Sequence, residues 1–297
     1  MDETKKRGLG WIPDFPDFRD YTEETRDIRD ILAPTGLPAS AAGRKRRPKL
    51  PAAVDLRPWA SPVEDQGGLG SCTAQAGAGV IEYYDRKSFG RHIESSRLFL
   101  YKVTRNLMKM KGDTGAYLRL TMGAMVLFGV PPEEYWPYTD AEEGFDKEPP
   151  AFCYAFAQNY KTLLYYRHDP AGVTRAAVLE RLKAYLAAGH PAMFGFTVYS
   201  SVAQAETTGR IPIPFGRERI EGGHAVVAMG YDDAMAIANA SGGEAARGAF
   251  LIRNSWGKGW GEKGYGWLPY AYVLKGLAED FWSVLKKEWI DTGEFKI

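Results

Sequence analysis

The sequence predicts an α+β protein in which a helical half is followed by a β half. From residue 74 to about residue 187 the signals are mainly helical, whereas after Pro191 they change to short strands. A chain of 297 residues with 45% hydrophobic content can bury one large core or two smaller ones. The two halves could share one core or form two lobes, and a cleft between two lobes is a common place for a binding site.

A segment of different composition precedes the two lobes, and we assign residues 1–49 to a leader and linker. Residues 1–32 are polar but contain an aromatic and proline patch, GWIPDFPDFRDY, at 10–21. Residues 33–49 are rich in Pro, Ala and Gly and end in a basic cluster. This composition is typical of a mobile linker that proteases reach. Residues 50–297 are then expected to form the folded domain.

Four helices are predicted in the first half of the domain. The first follows the turn at Gly70 and Ser71, with Ser71 as its expected N-cap. A buried stripe on this helix would consist of Ala76, Val80, Ile81 and Tyr84. The other three are expected within residues 95–109, 118–129 and 173–189. Gly189 would form the C-terminal cap of the last one.

Four strands are predicted in the second half. They cover residues 192–199, 224–232, 248–256 and 264–270. The connecting segments 200–222 and 233–247 are expected to be long loops. The second of them is rich in Gly and Ala, and we expect it to be flexible.

A cysteine, a histidine and an asparagine lie in three distinctive strings. Cys72 lies in DQGGLGSCTAQAGAGVIEYY, His224 in GGHAV and Asn254 in RNSWGKGWGEKGYGW. In that order they are the parts of a thiol nucleophile, its base and the group that orients the base. A thiol reacts well only as the thiolate, and both a helix N-terminus and a nearby imidazolium lower its pKa.

These residue types indicate acyl transfer. His224 would accept the proton of Cys72 and later give it to the leaving amine. Asn254 would accept a hydrogen bond from the other ring nitrogen and so fix the tautomer. The oxyanion formed by attack on an amide needs preorganised donors. The backbone N–H of Cys72 and the side-chain amide of Gln66 are suitable.

The strings resemble the cysteine peptidases of the papain family, from about Leu50 to the C-terminus. VDLRPW at 54–59 looks like the start of the mature domain, and GGHAVVAMGYD at 222–232 like the histidine strand. NSWGKGWGEKGY at 254–265 resembles the asparagine hairpin and keeps two tryptophans and four glycines. The resemblance implies the papain-like two-lobed fold and a bacterial-type member with a short leader.

The resemblance also implies a function and further site residues. The protein would be a cysteine endopeptidase that cuts peptide bonds through a thiolate–imidazolium pair and an acyl-enzyme. Gly115 and Ala116, in GDTGAY, would pair with the substrate backbone. Trp256 would exclude water from the bond between His224 and Asn254. Glu279 would lie at or near the floor of the second specificity pocket, where it could pair with a substrate arginine. A one-residue slip in the alignment would put Asp280 there instead.

The leader implies regulation. Residues 8–32 contain aromatic side chains at a density that usually needs a surface to cover. By resemblance to family propeptides, we expect part of this segment to pack on the enzyme and restrict the cleft. The protein would then be a self-inhibited zymogen, activated by a cut near the basic residues 44–47.

Some positions depart from the family pattern. Thr73 follows the nucleophile, where tryptophan is usual. Leu69 and Asp113 stand where relatives carry two cysteines joined as a disulfide, so both halves of that disulfide are absent together. Cys153, in the apolar string AFCYAF, is expected to be a buried structural thiol. The remaining histidines are expected at the surface, namely His92, His168 and His190.

Composition excludes several other classes. Lys+Arg 38 against Asp+Glu 37 gives no charge bias toward nucleic acid or a membrane surface. No apolar run of about 20 residues and no apolar signal region occur, so we expect a cytoplasmic protein or one exported by a non-standard route. No zinc-ligand spacing or nucleotide-binding glycine motif occurs, so no cofactor is expected. The expected partner is a peptide or protein substrate, bound by a monomer.

Two other function classes remain open. A transglutaminase-like or peptidoglycan amidase-like enzyme would share the Cys–His arrangement, but would not be expected to carry NSWGKGWG after the histidine. A binding protein on an inactive peptidase scaffold would be expected to lack Cys72, His224 or Gln66. All three are present.

Overall fold

The computed structural model describes residues 7–37, 49–161 and 164–295, so the basic residues 44–47 lie outside the described part. The helices are α1 (Arg26–Leu32), α2 (Cys72–Phe89), α3 (Arg97–Leu107), α4 (Leu118–Leu127), α5 (Ala151–Ala157), α6 (Arg175–Ala187), α7 (Tyr270–Leu274) and α8 (Lys287–Ile290). The strands are β1 (Ala53–Asp55), β2 (Leu164–Arg167), β3 (Ala192–Tyr199), β4 (Ile220–Ile237), β5 (Ala246–Arg253), β6 (Tyr265–Pro269) and β7 (Ala278–Leu285). The predicted helical half and β half are both present.

Helix α2 is the centre of the helical half. Every residue from its start to Tyr84 is buried, so the predicted apolar stripe is only part of a helix covered on all sides. Small residues make this possible: a Cβ at Gly77 would lie 3.1 Å from side-chain atoms of Leu100 in α3 and Met125 in α4. Ser71 precedes the helix, but its hydroxyl bonds the Tyr138 hydroxyl at 2.7 Å and does not cap the backbone.

The β half is an antiparallel sheet with the strand order β2-β7-β3-β4-β5-β6, and β1 pairs with β4. Strand β3 has the predicted bounds. Strand β4 is longer than predicted, because it pairs with β3 at its start and with β5 as far as Ile237. The flexible loop expected over 233–247 is therefore wrong for residues 233–237 and 246–247, which belong to the two strands.

The leader is part of the same hydrophobic core as the domain. Its buried apolar side chains are Trp11, Ile28, Leu32 and Leu37. The buried Glu23 accepts bonds from Arg181 at 3.0 Å and from Tyr185 at 3.1 Å, both in α6. Residues 7–37 are thus held by the domain through packing and charge, and do not form a separate folded unit.

Two histidines lie in the interior, so the surface position predicted for them is wrong. His168 packs between α6 and β7, where its Nε2 bonds Ser283 at 2.9 Å. His190 bonds the Tyr84 hydroxyl through Nδ1 at 3.0 Å. Both rings are buried by residues from distant parts of the chain, and the local sequence does not reveal such contacts.

Cys153 is buried, as predicted. No helix in the described ranges is long and apolar enough to span a membrane.

Candidate active site

The predicted nucleophile begins helix α2, and its side chain is fully buried. Burial raises the pKa of the Cys72 thiol to about 11, although backbone N–H groups of Ala225 and Gly10 act in the opposite direction. Ala225 is the neighbour of His224 in β4, so the sulfur lies beside the predicted base. Gly10 belongs to the leader, so the leader backbone lies against the sulfur.

His224 and Asn254 are joined by a hydrogen bond with a defined direction. His224 Nε2 lies 2.8 Å from Asn254 Oδ1. The backbone N–H of Ser255 donates to the same Asn254 atom at 2.7 Å, which identifies that atom as the oxygen. His224 Nε2 therefore carries the proton, and in the neutral ring Nδ1 is free to accept one. The side chains meet because Asn254 directly follows β5, the neighbour of β4.

The imidazole is neutral in this leader-covered state. Burial lowers the pKa of His224 to about 4; the bond to Asn254 opposes this shift, and the nearby Arg7 adds to it. His224 Nδ1 is buried and makes no hydrogen bond to any residue that the structure describes. With the pKa of Cys72 raised, the thiol and the imidazole both remain uncharged near pH 7.

Trp256 covers the imidazole. Its ring stacks on His224 with centroids 4.5 Å apart and planes 25° apart. Trp260 packs edge-on against the Trp256 ring. The guanidinium of Arg7 lies 4.9 Å from the centroid of the Trp256 ring and also pairs with Glu206. Trp256 therefore covers one face of the His224 ring, while the leader occupies the outer side of the site.

Gln66 is held with its amide nitrogen toward the site. Its Oε1 accepts from the Ser255 hydroxyl, and its Nε2 donates to the carbonyl of Leu69 at 2.7 Å. A second bond from Nε2 goes to the carbonyl of Gly8, at 3.0 Å. The donor predicted for the oxyanion is thus used by a carbonyl of the leader.

The glycine segment predicted to pair with substrate pairs instead with the leader. Ala116 donates its N–H to the Gly10 carbonyl at 2.7 Å and accepts from the Ile12 N–H at 3.1 Å. Gly115 has φ +73°, and a Cβ there would overlap the Gly10 carbonyl. Substitution of Gly115 by valine would strain the backbone as well as fill this space.

The two acidic residues of β7 lie in different surroundings. Asp280 is buried and accepts a hydrogen bond from the indole of Trp11 at 3.1 Å. Glu279 is exposed as a residue and lines a cavity near Pro13 and Phe15, where partial desolvation of its carboxyl raises its pKa. The buried position beside the leader therefore belongs to Asp280, one residue after the residue predicted from the sequence.

Asp113 is a site residue whose role the sequence did not reveal. Its Oδ1 accepts from the Gly70 N–H at 2.9 Å and from the Tyr101 hydroxyl at 2.6 Å. These bonds join the segment before Gly115 to the loop before Cys72. One of them connects Asp113 to the residue after Leu69, and Leu69 and Asp113 are the two positions at which relatives of the proposed family would carry a disulfide. Within the described residues, no group of three or more His, Cys, Asp or Glu side chains is placed to hold a metal ion.

The family profile and the similar proteins that we find all belong to one protein family. Residues 50–278 match the sequence profile of the papain family cysteine protease. The chain is 34% identical over 226 residues to the uncharacterized peptidase C1-like protein L477 of Acanthamoeba polyphaga mimivirus, covering 74% of this chain and 68% of that protein. It is 30% identical over 213 residues to cathepsin B-like CP3 of Giardia intestinalis, covering 68% of this chain and 62% of that protein.

Among solved structures, the fold is similar to that of xylellain, a cysteine protease from Xylella fastidiosa. The TM-score is 0.74 at 36% sequence identity, and the match covers 96% of this chain and 98% of that chain. The similarity therefore takes in most of the leader as well as the two lobes.

Proposed function

The chain belongs to the papain family of cysteine proteases, and we propose that it is an endopeptidase held inactive by its own N-terminal segment. The observation that carries the proposal is the course of residues 7–12 over the candidate catalytic groups. Their backbone contacts Cys72, Gln66 and Ala116. A peptide substrate would need the same three groups.

Cys72, His224 and Asn254 support thiol acyl transfer. His224 Nδ1 accepts the thiol proton, and the sulfur attacks the carbonyl carbon of the peptide bond. The oxygen takes up the electron pair and is stabilised by Gln66 Nε2 and the Cys72 N–H. The imidazolium then protonates the amine as the C–N bond breaks, which leaves a thioester. Water, deprotonated by His224, hydrolyses the thioester and regenerates the thiol.

Two glycines of the leader let its backbone lie against the loop before Cys72. A Cβ at Gly8 would overlap the carbonyl of Leu69, and a Cβ at Gly10 would overlap the carbonyl of Gly70. Only glycine lets the leader backbone lie this close, so these two residues present no side chain to the site. Because its carbonyls use the donors that a substrate needs, the covered enzyme has no free oxyanion donor at Gln66.

Activation requires displacement of the part of the leader that covers the site. A cut at residues 44–47 alone would leave residues 20–37 held by the core through Glu23, Ile28 and Leu32. The exposed side chains of Phe15 and Phe18 lie between this anchored part and the covering part. We propose that residues 7–16 leave the cleft while residues 20–37 stay in place.

Replacement of Cys72 tests the chemistry. In the protein that lacks residues 1–16, Cys72→Ala should abolish hydrolysis of a denatured protein substrate while the circular dichroism spectrum stays unchanged, because only the nucleophile is removed. Cys153→Ala is the matched control, since it removes the other cysteine from a buried site and should retain turnover. Near-full activity of Cys72→Ala, or loss of activity in Cys153→Ala alone, would contradict the assignment.

A further inference from the structure

The side chain of Trp11 fills a closed slot beside the candidate catalytic groups. It is 5% exposed, and the slot is formed by Gly195 of β3, Gly223 of β4 and Asp280 of β7. The backbone N–H of Trp11 donates to the Gly223 carbonyl at 3.1 Å. Since Gly223 precedes His224 and Gly10 lies against Cys72, the slot lies directly beside the proposed reacting sulfur.

Two glycines give the slot its width. The three atoms nearest to a Cβ built on Gly195 all belong to Trp11, and the same holds for Gly223. Neither glycine has a positive φ, so the backbone conformation does not require glycine at these two positions. Because Gly195 and Gly223 have no side chains, the slot is wide enough for the flat two-ring indole. Alanine at Gly195 would fill the space that the indole occupies.

Asp280 gives the slot its polarity. Its Oδ2 accepts from the Trp11 indole N–H at 3.1 Å, and its Oδ1 accepts from the Trp282 indole N–H at 2.6 Å. The guanidinium of Arg167 lies 3.3 Å from Oδ1. The carboxylate therefore has a cationic partner already, and its remaining oxygen is available to a neutral N–H donor.

We propose that, after the leader is displaced, this slot takes a tryptophan side chain of the substrate near the bond that is cut. The inference rests on the proposed endopeptidase function and names its substrate preference. Phenylalanine would fill the slot less completely and leave Asp280 Oδ2 without its donor, which costs about ten- to hundredfold in kcat/KM. A substrate arginine would bring a second guanidinium next to Arg167 in a buried site, where like charges repel strongly.

Peptide hydrolysis by the protein that lacks residues 1–16 tests the proposal, because this truncation removes the covering backbone together with the indole that fills the slot. Peptides that differ only in Trp, Phe, Leu or Arg are compared at each of the two positions before the cut. At one position, Trp should exceed Phe by about tenfold or more, and Arg should also fall below Trp. Equal kcat/KM values for Trp and Phe at both positions would overturn the inference.

Variants in the same truncated protein assign the preference to the slot. Gly195→Ala should lower the ratio of Trp to Leu hydrolysis by about tenfold or more, because the added methyl group excludes the larger side chain more strongly. Gly123→Ala is the control, since a Cβ there meets only the Tyr165 hydroxyl, at 3.9 Å. An unchanged Trp preference in Gly195→Ala would place the preference elsewhere and overturn the assignment.

Asp280→Asn tests the polar part separately. One amide oxygen cannot replace both carboxylate oxygens, so the ratio of Trp to Phe hydrolysis should fall toward one; an unchanged ratio would contradict the role of Asp280. If Asp280→Asn does not fold, the Trp preference of Gly195→Ala still tests whether the slot binds the substrate. Cleavage of the peptides without any Trp preference would overturn this inference alone. Absence of cleavage of every peptide would overturn the proposed function together with it.

Discussion

Asp113 links the segment that pairs with the leader to the loop that carries the nucleophile. One carboxylate oxygen accepts from both Gly70 and Tyr101, and Gly70 lies two residues before Cys72. The position of the sulfur therefore depends on a hydrogen-bonded side chain where relatives are expected to use a disulfide. Unlike a disulfide, this link is independent of the redox conditions around the protein.

Replacement of Asp113 should affect both stability and turnover. Asp113→Ala removes the acceptor of both bonds, and for a side chain at the surface we expect a loss of about 1 kcal/mol in the free energy of unfolding. Turnover should fall as well, because the loop before Cys72 loses its support. Urea denaturation and kcat measure the two effects. Asp113→Asn keeps one oxygen acceptor and should lose less; equal losses in both variants would show that the charge matters and the bonds do not.

The candidate catalytic residues could be predicted from the sequence because each lies in a characteristic local string. Gln66 and Cys72 share one string, and Asn254 lies in another. The role of Asp113 could not be predicted in the same way, and Asp280 was only an alternative to Glu279 at the pocket floor. Each depends on contacts with residues far along the chain, such as the bond of Asp280 to Trp11, 269 positions away.

At the scale of elements, the leader has two parts with different roles. Residues 7–12 lie over the site as extended backbone. Residues 20–37 are anchored, with Asp20 paired to Arg119 at 2.8 Å and the Tyr21 carbonyl accepting from the Arg167 N–H at 2.8 Å. The first part blocks the site, and the second contributes to the core of the domain.

Truncations separate these two roles. A protein that lacks residues 1–49 exposes the surface that Ile28, Leu32 and Leu37 cover, and burial of each such side chain stabilises by about 1.5–3 kcal/mol. We expect its Tm to fall by at least about 5 °C. A protein that lacks only residues 1–16 keeps these contacts and should retain a Tm closer to that of the full chain. Equal Tm values for the two truncations, measured by calorimetry, would contradict an anchoring role.

The boundaries of an element could be predicted where a local sequence pattern defines them. They were predicted less well where pairing with neighbouring strands sets the length of a strand. β3 matches its predicted bounds, since a continuous apolar run defines it. β4 extends beyond its predicted bounds at both ends because its partners in the sheet continue. Helix α1 has only seven residues, and its helical signal is weak; its packing partner, α8, lies at the other end of the chain.

For the whole molecule, the α+β fold predicted from the sequence is confirmed, with the leader as an additional part of the core. Cys72 begins the central helix of one lobe, while His224 and Asn254 come from the sheet of the other. The leader lies across this junction. In this state burial raises the pKa of Cys72 and lowers that of His224, so the nucleophile remains protonated near neutral pH.

The rate of Cys72 alkylation by iodoacetamide as a function of pH tests this account most directly. In a Cys153→Ala background Cys72 is the sole cysteine, since the chain has 2. In the intact full chain, alkylation should be slow at pH 7 and rise toward the raised thiol pKa of about 11. Without residues 1–16 the sulfur and the imidazole regain access to water, so the rate at pH 7 should increase at least about tenfold and level off at a lower pH. Identical rates and identical pH profiles for the two proteins would contradict a leader that covers and silences the nucleophile.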